Sequence, residues 1–191
     1  MKPLSRKFYE RDTKEVAKDL LGKVLVHRTP KGVLKGKIVE VEAYYGENDP
    51  GSHAYKGKTP RNEIMYGLPG FAYVYFCYGN HWLLNVVTEK RGKAGAVLFR
   101  ALEPLEGIEI MKENRKSKEI QNLTNGPGKL TQAFGINKKH NGLDLTKSNL
   151  FITRGKKENF EIVTTTRIGI KRGKELPLRF YIKGNKFVSV K

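Results

Sequence analysis

Two carboxylates spaced two residues apart, Glu40 and Glu42, are the side chains best suited to chemistry in this chain. They sit in Lys37-Ile38-Val39-Glu40-Val41-Glu42-Ala43-Tyr44, which alternates as a strand does. A period of two puts Val39, Val41 and Ala43 on one apolar face, and Glu40, Glu42 and Tyr44 on the other with Ile38. The chain has 191 residues, with 37 Lys plus Arg against 19 Asp plus Glu, a net charge of +18. In such a protein, two acids on one face need a reason to be there. An ionised glutamate can take a proton from water. The other reading is a solvated face, or ion pairs with the abundant cations. Arg100 follows Val97-Leu98-Phe99 and needs an acidic partner if buried; Glu42 and Glu103 are both available.

Aromatic residues form the second signal. Tyr73 to Tyr78 is an aromatic-heavy stretch, and Tyr78 adjoins Gly79-Asn80. A ring at a hairpin tip can wedge between bases or stack on an unpaired one, worth about 1–3 kcal/mol per base. The alternative is core filling, which is how Tyr73 and Phe76 are read. His53 lies in the polar Gly51-Ser52-His53 stretch, where nothing completes a metal site. Asn85 interrupts Leu83-Leu84-Asn85-Val86-Val87 and requires hydrogen-bond partners if buried. Cys77 is the only cysteine, so an internal disulfide and a cysteine-held zinc are both excluded. The chain carries no phosphate-binding loop, no G-x-G-x-x-G fingerprint and no readable Ser-His-Asp arrangement.

The elements that must position these residues are legible in outline. Residues 12–22 read as a short helix, with Asp12 as cap, Glu15 at capping-box spacing, and Val16, Ala17, Leu20 and Leu21 as its apolar stripe. Strands are expected at 23–28 and 36–45, and a long loop at 46–70. A hairpin follows, 72–78 and 81–88, turned by Gly79-Asn80. Further expectations are a strand at 94–101, a helix at 105–116 after Pro104, a polar loop at 117–128 and a short helix at 129–134. Short strands at 150–153, 161–165, 178–182 and 186–190 complete the chain. The whole, residues 1–191, reads as one α+β domain built mainly on antiparallel strands. Its positive charge favours a polyanion, with nucleic acid the first candidate. No apolar run approaches the ~18 residues of a spanning helix, so no membrane partner is expected. The lone cysteine fits a reducing compartment.

Several segments resemble a known family. They are Val41-Glu42-Ala43-Tyr44, Thr59-Pro60-Arg61-Asn62, Ala72-Tyr73-Val74-Tyr75 with Tyr78-Gly79, and Arg100-Ala101-Leu102-Glu103-Pro104-Leu105-Glu106-Gly107. Asn125-Gly126-Pro127-Gly128-Lys129-Leu130 and Leu178-Arg179-Phe180-Tyr181 continue the series in order. The chain resembles the alkyladenine (3-methyladenine) DNA glycosylases of the mammalian type. The resemblance implies a mixed domain around a curved antiparallel sheet with flanking helices and a hairpin protruding into the minor groove. It implies a base-excision repair enzyme, monomeric and without cofactor or metal. Such an enzyme flips alkylated or deaminated purines out of double-stranded DNA and hydrolyses the N-glycosidic bond, leaving an abasic site.

The roles it implies are specific. Glu42 is the general base for water, and Arg100 helps to hold that water, with the backbone carbonyl of Ile168 as a third contact. Tyr44, His53 and Tyr75 sandwich the base, and Asn85 excludes a guanine amino group. Tyr78 fills the gap left in the stack, and Thr59 and Arg61 contact DNA. A compact bacterial form working in the cytoplasm, at the nucleoid, is expected. Two other readings compete. A non-enzymatic nucleic-acid-binding module explains the charge and the aromatics but not the order of the motifs. A nucleotide-directed transferase needs a cofactor loop that the sequence does not show.

Overall fold

The computed structural model describes residues 1–77 and 79–190. The chain runs α1 (Arg6–Tyr9), α2 (Thr13–Leu20), β1 (Val24–Thr29), β2 (Gly32–Tyr45), β3 (Ala72–Cys77), β4 (His81–Val87) and β5 (Gly95–Glu106). Then come α3 (Ile108–Arg115), α4 (Pro127–Ala133), β6 (Leu150–Thr153), β7 (Ile162–Thr165) and β8 (Arg179–Ile182). The strands form one curled antiparallel sheet in the order β3-β4-β5-β2-β1-β6, with β8 beside β2 and β7 beside β8. The fold is mixed α+β, as the sequence suggests.

The strand that carries both glutamates is the hub. β2 spans 14 residues. Its first half pairs with β1, most of its length with β5, and Glu40 to Glu42 with β8. Val39, Val41 and Ala43 are wholly buried in the main core with Val16, Ala17 and Leu20 of α2. Asp12 caps α2, its side chain accepting from the N–H groups of Lys14 and Glu15. β4 pairs with β5 only from Asn85 to Val87, so its first residues, 81–84, extend with β3 past the β5 edge of the sheet. There Phe76 is 45% exposed and packs on Trp82 with ring centroids 4.8 Å apart.

Two irregularities in the β2–β5 ladder redirect side chains. The register steps from Ile38↔Leu102 to Glu40↔Ala101, passing over Val39, and then to Val41↔Phe99, passing over Arg100. Bulges of this kind bend strands and re-aim side chains beside active sites. Simple alternation placed Ile38 on the acidic face; the irregularity puts it in the apolar core instead.

Other expectations shift for physical reasons. β2 begins at Gly32, earlier than residue 36, because a tight turn lets β1 pair as far as Thr29↔Gly32. β5 runs through Pro104 to Glu106, so the following helix starts at Ile108. Proline is tolerated because β4 pairs only with residues 96–98 of β5, and the ladder to β2 is irregular between Lys35 and Gly36. Pro127 and Gly128 are the first residues of α4 and not loop; proline suits that position because its missing N–H would go unpaired there anyway. The strand expected at 186–190 does not form. The Ser189 N–H and hydroxyl both bond the Glu40 carboxylate in place of a ladder. Among the described residues, no helix is long and apolar enough to cross a membrane.

Candidate active site

The end of β2 delivers Glu42 and Tyr44 to one side of the sheet, and β5 delivers Arg100 opposite them. Glu42 is 0% exposed. Its Oε1 accepts the Ile168 N–H at 2.8 Å and lies 3.3 Å from Arg100 Nη1. Its Oε2 accepts the Tyr44 hydroxyl at 2.7 Å. A carboxylate offers about four acceptor positions, so these three donors leave one, on Oε2, open among the described residues. The Ile168 N–H thus bonds the Glu42 carboxylate directly, a contact the sequence alone did not suggest. The Glu42 carboxylate and burial together raise the Tyr44 phenol well above its ordinary pKa, burial being the larger cause, so Tyr44 stays a donor.

Above this cluster opens a cavity of about 440 Å³, lined in part by Tyr44, His53, Tyr75, Asn85, Arg100 and Ile168. That volume is within the usual range for small-ligand sites. Tyr73 and Leu98 also line it. Asn85 is buried on β4, where its Nδ2 donates to the Tyr73 carbonyl at 3.0 Å. His53 stands at the mouth. Its ring meets Tyr75 edge-on at 4.5 Å between centroids, and Nδ1 lies 2.8 Å from the Tyr73 hydroxyl. Burial pushes the Tyr73 phenol up to about 12, against the pull of the Arg61 guanidinium that bonds it.

Desolvation first, and the Arg61 charge second, push the His53 imidazole from 6.5 down to about 4. The unfolded chain therefore takes up this proton before the folded one. Any stability His53 contributes is complete above about pH 6.5 and is lost as pH falls toward its folded value. A proton NMR titration is expected to find the His53 ring neutral at pH 6, with its midpoint near 4. A midpoint near 6.5 would mean that water reaches the ring freely.

The loop carrying His53 is built rather than loose. Asn62 Nδ2 donates to the carbonyls of His53 and Gly57, and Asn62 Oδ1 accepts the Thr59 N–H. Thr59 and Arg61 are exposed on this loop. The Arg61 guanidinium lies 5.7 Å from the Tyr75 ring centroid, at the rim of the site. Tyr78 lies outside the described residues.

Three neighbours hold contacts that the sequence did not show. Arg167 is fully buried and pairs with both oxygens of Asp49 at 2.6 Å. Its guanidinium stacks 4.6 Å from the centroid of the Tyr44 ring. Burial opposes its charge, but Asp49 more than compensates and raises its pKa. Tyr73, read as core, presents its hydroxyl to His53. Glu40 holds Arg100 Nε at 3.1 Å, whereas Glu103, the other candidate partner of Arg100, pairs with Lys37 at 3.0 Å. The signals available were the position of Arg167 beside Ile168 and the spacing of Glu40 from Glu42. Lys129 also lines the cavity, with its Nζ bonded to Asn125 Oδ1 at 2.9 Å. Among the described residues, no group of three or more His, Cys, Asp or Glu could hold a metal ion.

A buried carboxylate with one acceptor position open, below a cavity walled by rings, suits hydrolysis beside a flat group. Comparison with known proteins gives the class a family. The model of the methylpurine-DNA glycosylase family matches residues 7–186. A protein of Carboxydothermus hydrogenoformans is 56% identical over 98% of this chain and 99% of its own length. One of Clostridium acetobutylicum is 52% identical, covering 98% and 97% respectively. One of Desulfitobacterium hafniense is 48% identical over the whole of both chains. All three carry the name "Putative 3-methyladenine DNA glycosylase". The chain belongs to the methylpurine-DNA glycosylase family. Its class is therefore that of DNA glycosylases, hydrolases of N-glycosyl bonds that act in base-excision repair.

Proposed function

We propose that this chain, acting as a single monomeric domain, removes alkylated purines from double-stranded DNA by hydrolysis. The substrates are 3-methyladenine and 7-methylguanine, with hypoxanthine and ethenoadenine as neutral candidates. The observation that carries the reading is Glu42, wholly buried and held by three donors below the aromatic cavity. Water bound at the open acceptor position gives its proton to Glu42, and its oxygen bonds to C1′ of the sugar. The C1′–N bond breaks, and the electron pair leaves with the base. A cationic alkylpurine departs neutral and needs no added proton. The carboxylate also favours the positive charge that develops on the sugar. Arg100 and Ile168 fix Glu42, and Arg100 helps to hold the water.

Tyr44, His53 and Tyr75 receive the flipped base. Flipping costs a few kcal/mol, and least for a damaged base; stacking of about 1–3 kcal/mol per base offsets it. Electron-rich rings hold a cationic purine well. Neutral His53 adds no charge repulsion. The Asn85 amide crowds a guanine amino group and so disfavours undamaged guanine, while 7-methylguanine, which carries the same group, leaves because its cationic base is a good leaving group; Tyr78 fills the gap in the duplex, and Thr59 and Arg61 contact the DNA strand. The reaction stops at an abasic site, in the cytoplasm where nucleoid DNA lies.

The test uses end-labelled duplexes bearing one hypoxanthine or ethenoadenine, and randomly methylated DNA. Strand breaks that appear only after hot alkali are expected. Breaks without alkali, with a borohydride-trapped adduct, would instead give lyase chemistry through an amine of the protein. No base release with tight duplex binding would reduce the chain to a binding module. A second prediction concerns the charge of +18. Affinity for undamaged duplex is expected to fall by roughly a thousandfold or more between 50 and 200 mM salt, measured by fluorescence anisotropy. A flat dependence would contradict the phosphate contacts.

A further inference from the structure

Behind the proposed site lies a second buried acid that the mechanism does not use. Glu40 is 0% exposed. Its Oε1 accepts from Arg100 Nε at 3.1 Å, Arg179 Nε at 2.9 Å and the Ser189 hydroxyl at 2.9 Å. Its Oε2 accepts the Ser189 N–H at 2.6 Å. The same segment holds the second cation, since Arg179 Nη2 donates to the Val190 carbonyl. Arg100 Nη2 also reaches the Ser189 hydroxyl at 3.4 Å. Three elements distant from Glu40 in sequence thus converge on its carboxylate: β5, β8 and the segment around Ser189.

The ladder explains why Arg100 needs this. The β2–β5 register passes over Arg100, so cross-strand pairing does not dictate where its side chain points. Nε is fixed on Glu40, and Nη1 of the same planar guanidinium then falls 3.3 Å from Glu42 Oε1. The guanidinium is rigid, so fixing one edge aims the other. Charge balances too: Glu40 and Glu42 face Arg100 and Arg179, two against two, inside a buried cluster.

We infer that Glu40, held by Ser189 near the C-terminal end, is a positioning residue that aims Arg100 at Glu42. The inference rests on the roles proposed for Glu42 and Arg100. Glu40 touches neither water nor DNA; it acts through Arg100. The Ser189 segment thereby becomes part of the site although it reaches no substrate.

A double-mutant cycle on the full chain tests this. Single-turnover base release from a hypoxanthine duplex, the lesion-duplex Kd and Tm are measured for wild type, Glu40→Gln, Arg100→Gln and the pair. A misaimed group about 1 Å out of place can cost about a hundredfold in rate. Glu40→Gln is expected to slow release by that order with Kd little changed. In the Arg100→Gln background, the same change is expected to cost almost nothing more. Additive losses, or a Glu40→Gln rate equal to wild type, overturn the inference. If Glu40→Gln does not fold, Ser189→Ala replaces it in the cycle under the same criterion. If wild type releases no hypoxanthine, the cycle is run on randomly methylated DNA; if it releases no base there either, the proposed function fails and not this assignment, and Arg100 is then followed by crystallography of Glu40→Gln or Ser189→Ala. An unmoved guanidinium overturns the inference, and a displaced one supports it.

Discussion

Glu42→Gln is expected to slow base release by about a thousandfold or more, within the range general-base catalysis supplies, while lesion binding is little changed. The substitution is nearly isosteric. The amide oxygen can still accept from Ile168 N–H and Arg100 at the Oε1 position. The new NH₂ falls where Tyr44 now donates, and the phenol can turn to accept from it. Arg100 keeps Glu40 as counter-ion, so no buried cation is stranded. Folding should therefore survive, and the loss should appear in chemistry. An amide cannot take the proton from water, and it offers no negative charge to the developing sugar cation. Single-turnover release, with anisotropy for binding, separates the two effects. Release at the wild-type rate would remove Glu42 from the role of base, and a large drop in affinity would make it a binding residue.

Legibility in the sequence followed the reach of each interaction. α2 could be read because each member of its cap and stripe lies about one turn or less from the next: Asp12, Val16, Ala17 and Leu20 keep the expected places. The β3–β4 hairpin was legible for the same reason, with its turn between two β-rich runs. Glu42 and Tyr44 were visible as neighbours on one strand face, since a period of two is local.

Apart from element boundaries such as the start of β2 at Gly32 and of α4 at Pro127, the failures are non-local. Ile38 moved to the core because the irregularity around Val39 depends on pairing with β5, which begins more than fifty residues later. The 186–190 segment has the composition of a strand, but its hydrogen bonds go to side chains brought by β2 and β8. Arg100 needed an acid, and the sequence offered Glu42 and Glu103; the fold chose Glu40 and Glu42. Arg167 was passed over because its partner Asp49 lies over a hundred residues earlier. These residues share a property: each matters through a contact whose partner only the sheet brings near.

Arg167 is where that oversight has the largest energetic consequence, so Arg167→Met is the second prediction. The substitution removes four hydrogen bonds, two to Asp49 and one each to the carbonyls of Ala43 and Gly173. Asp49 is left buried, with only the N–H groups of Tyr45 and Gly51 on its carboxylate among the described residues. Stranding one member of a buried pair costs about 3–5 kcal/mol. For a domain of this size each kcal/mol lowers Tm by about 2–4 °C, so calorimetry should record a fall of roughly 6–20 °C. Activity should fall for a separate reason. Ile168, the next residue, donates its N–H to Glu42, and Tyr44 loses the guanidinium stacked on its ring. The double variant Arg167→Met/Asp49→Asn separates the causes, because neutralising Asp49 removes the stranded charge but returns neither the stack nor the hold on Ile168. Its Tm is expected to recover part of the loss while base release stays slow. Recovery of both together would reduce Arg167 to a brace for the fold. Recovery of stability alone would make the Arg167–Asp49 pair the support that keeps Glu42 and Tyr44 in register.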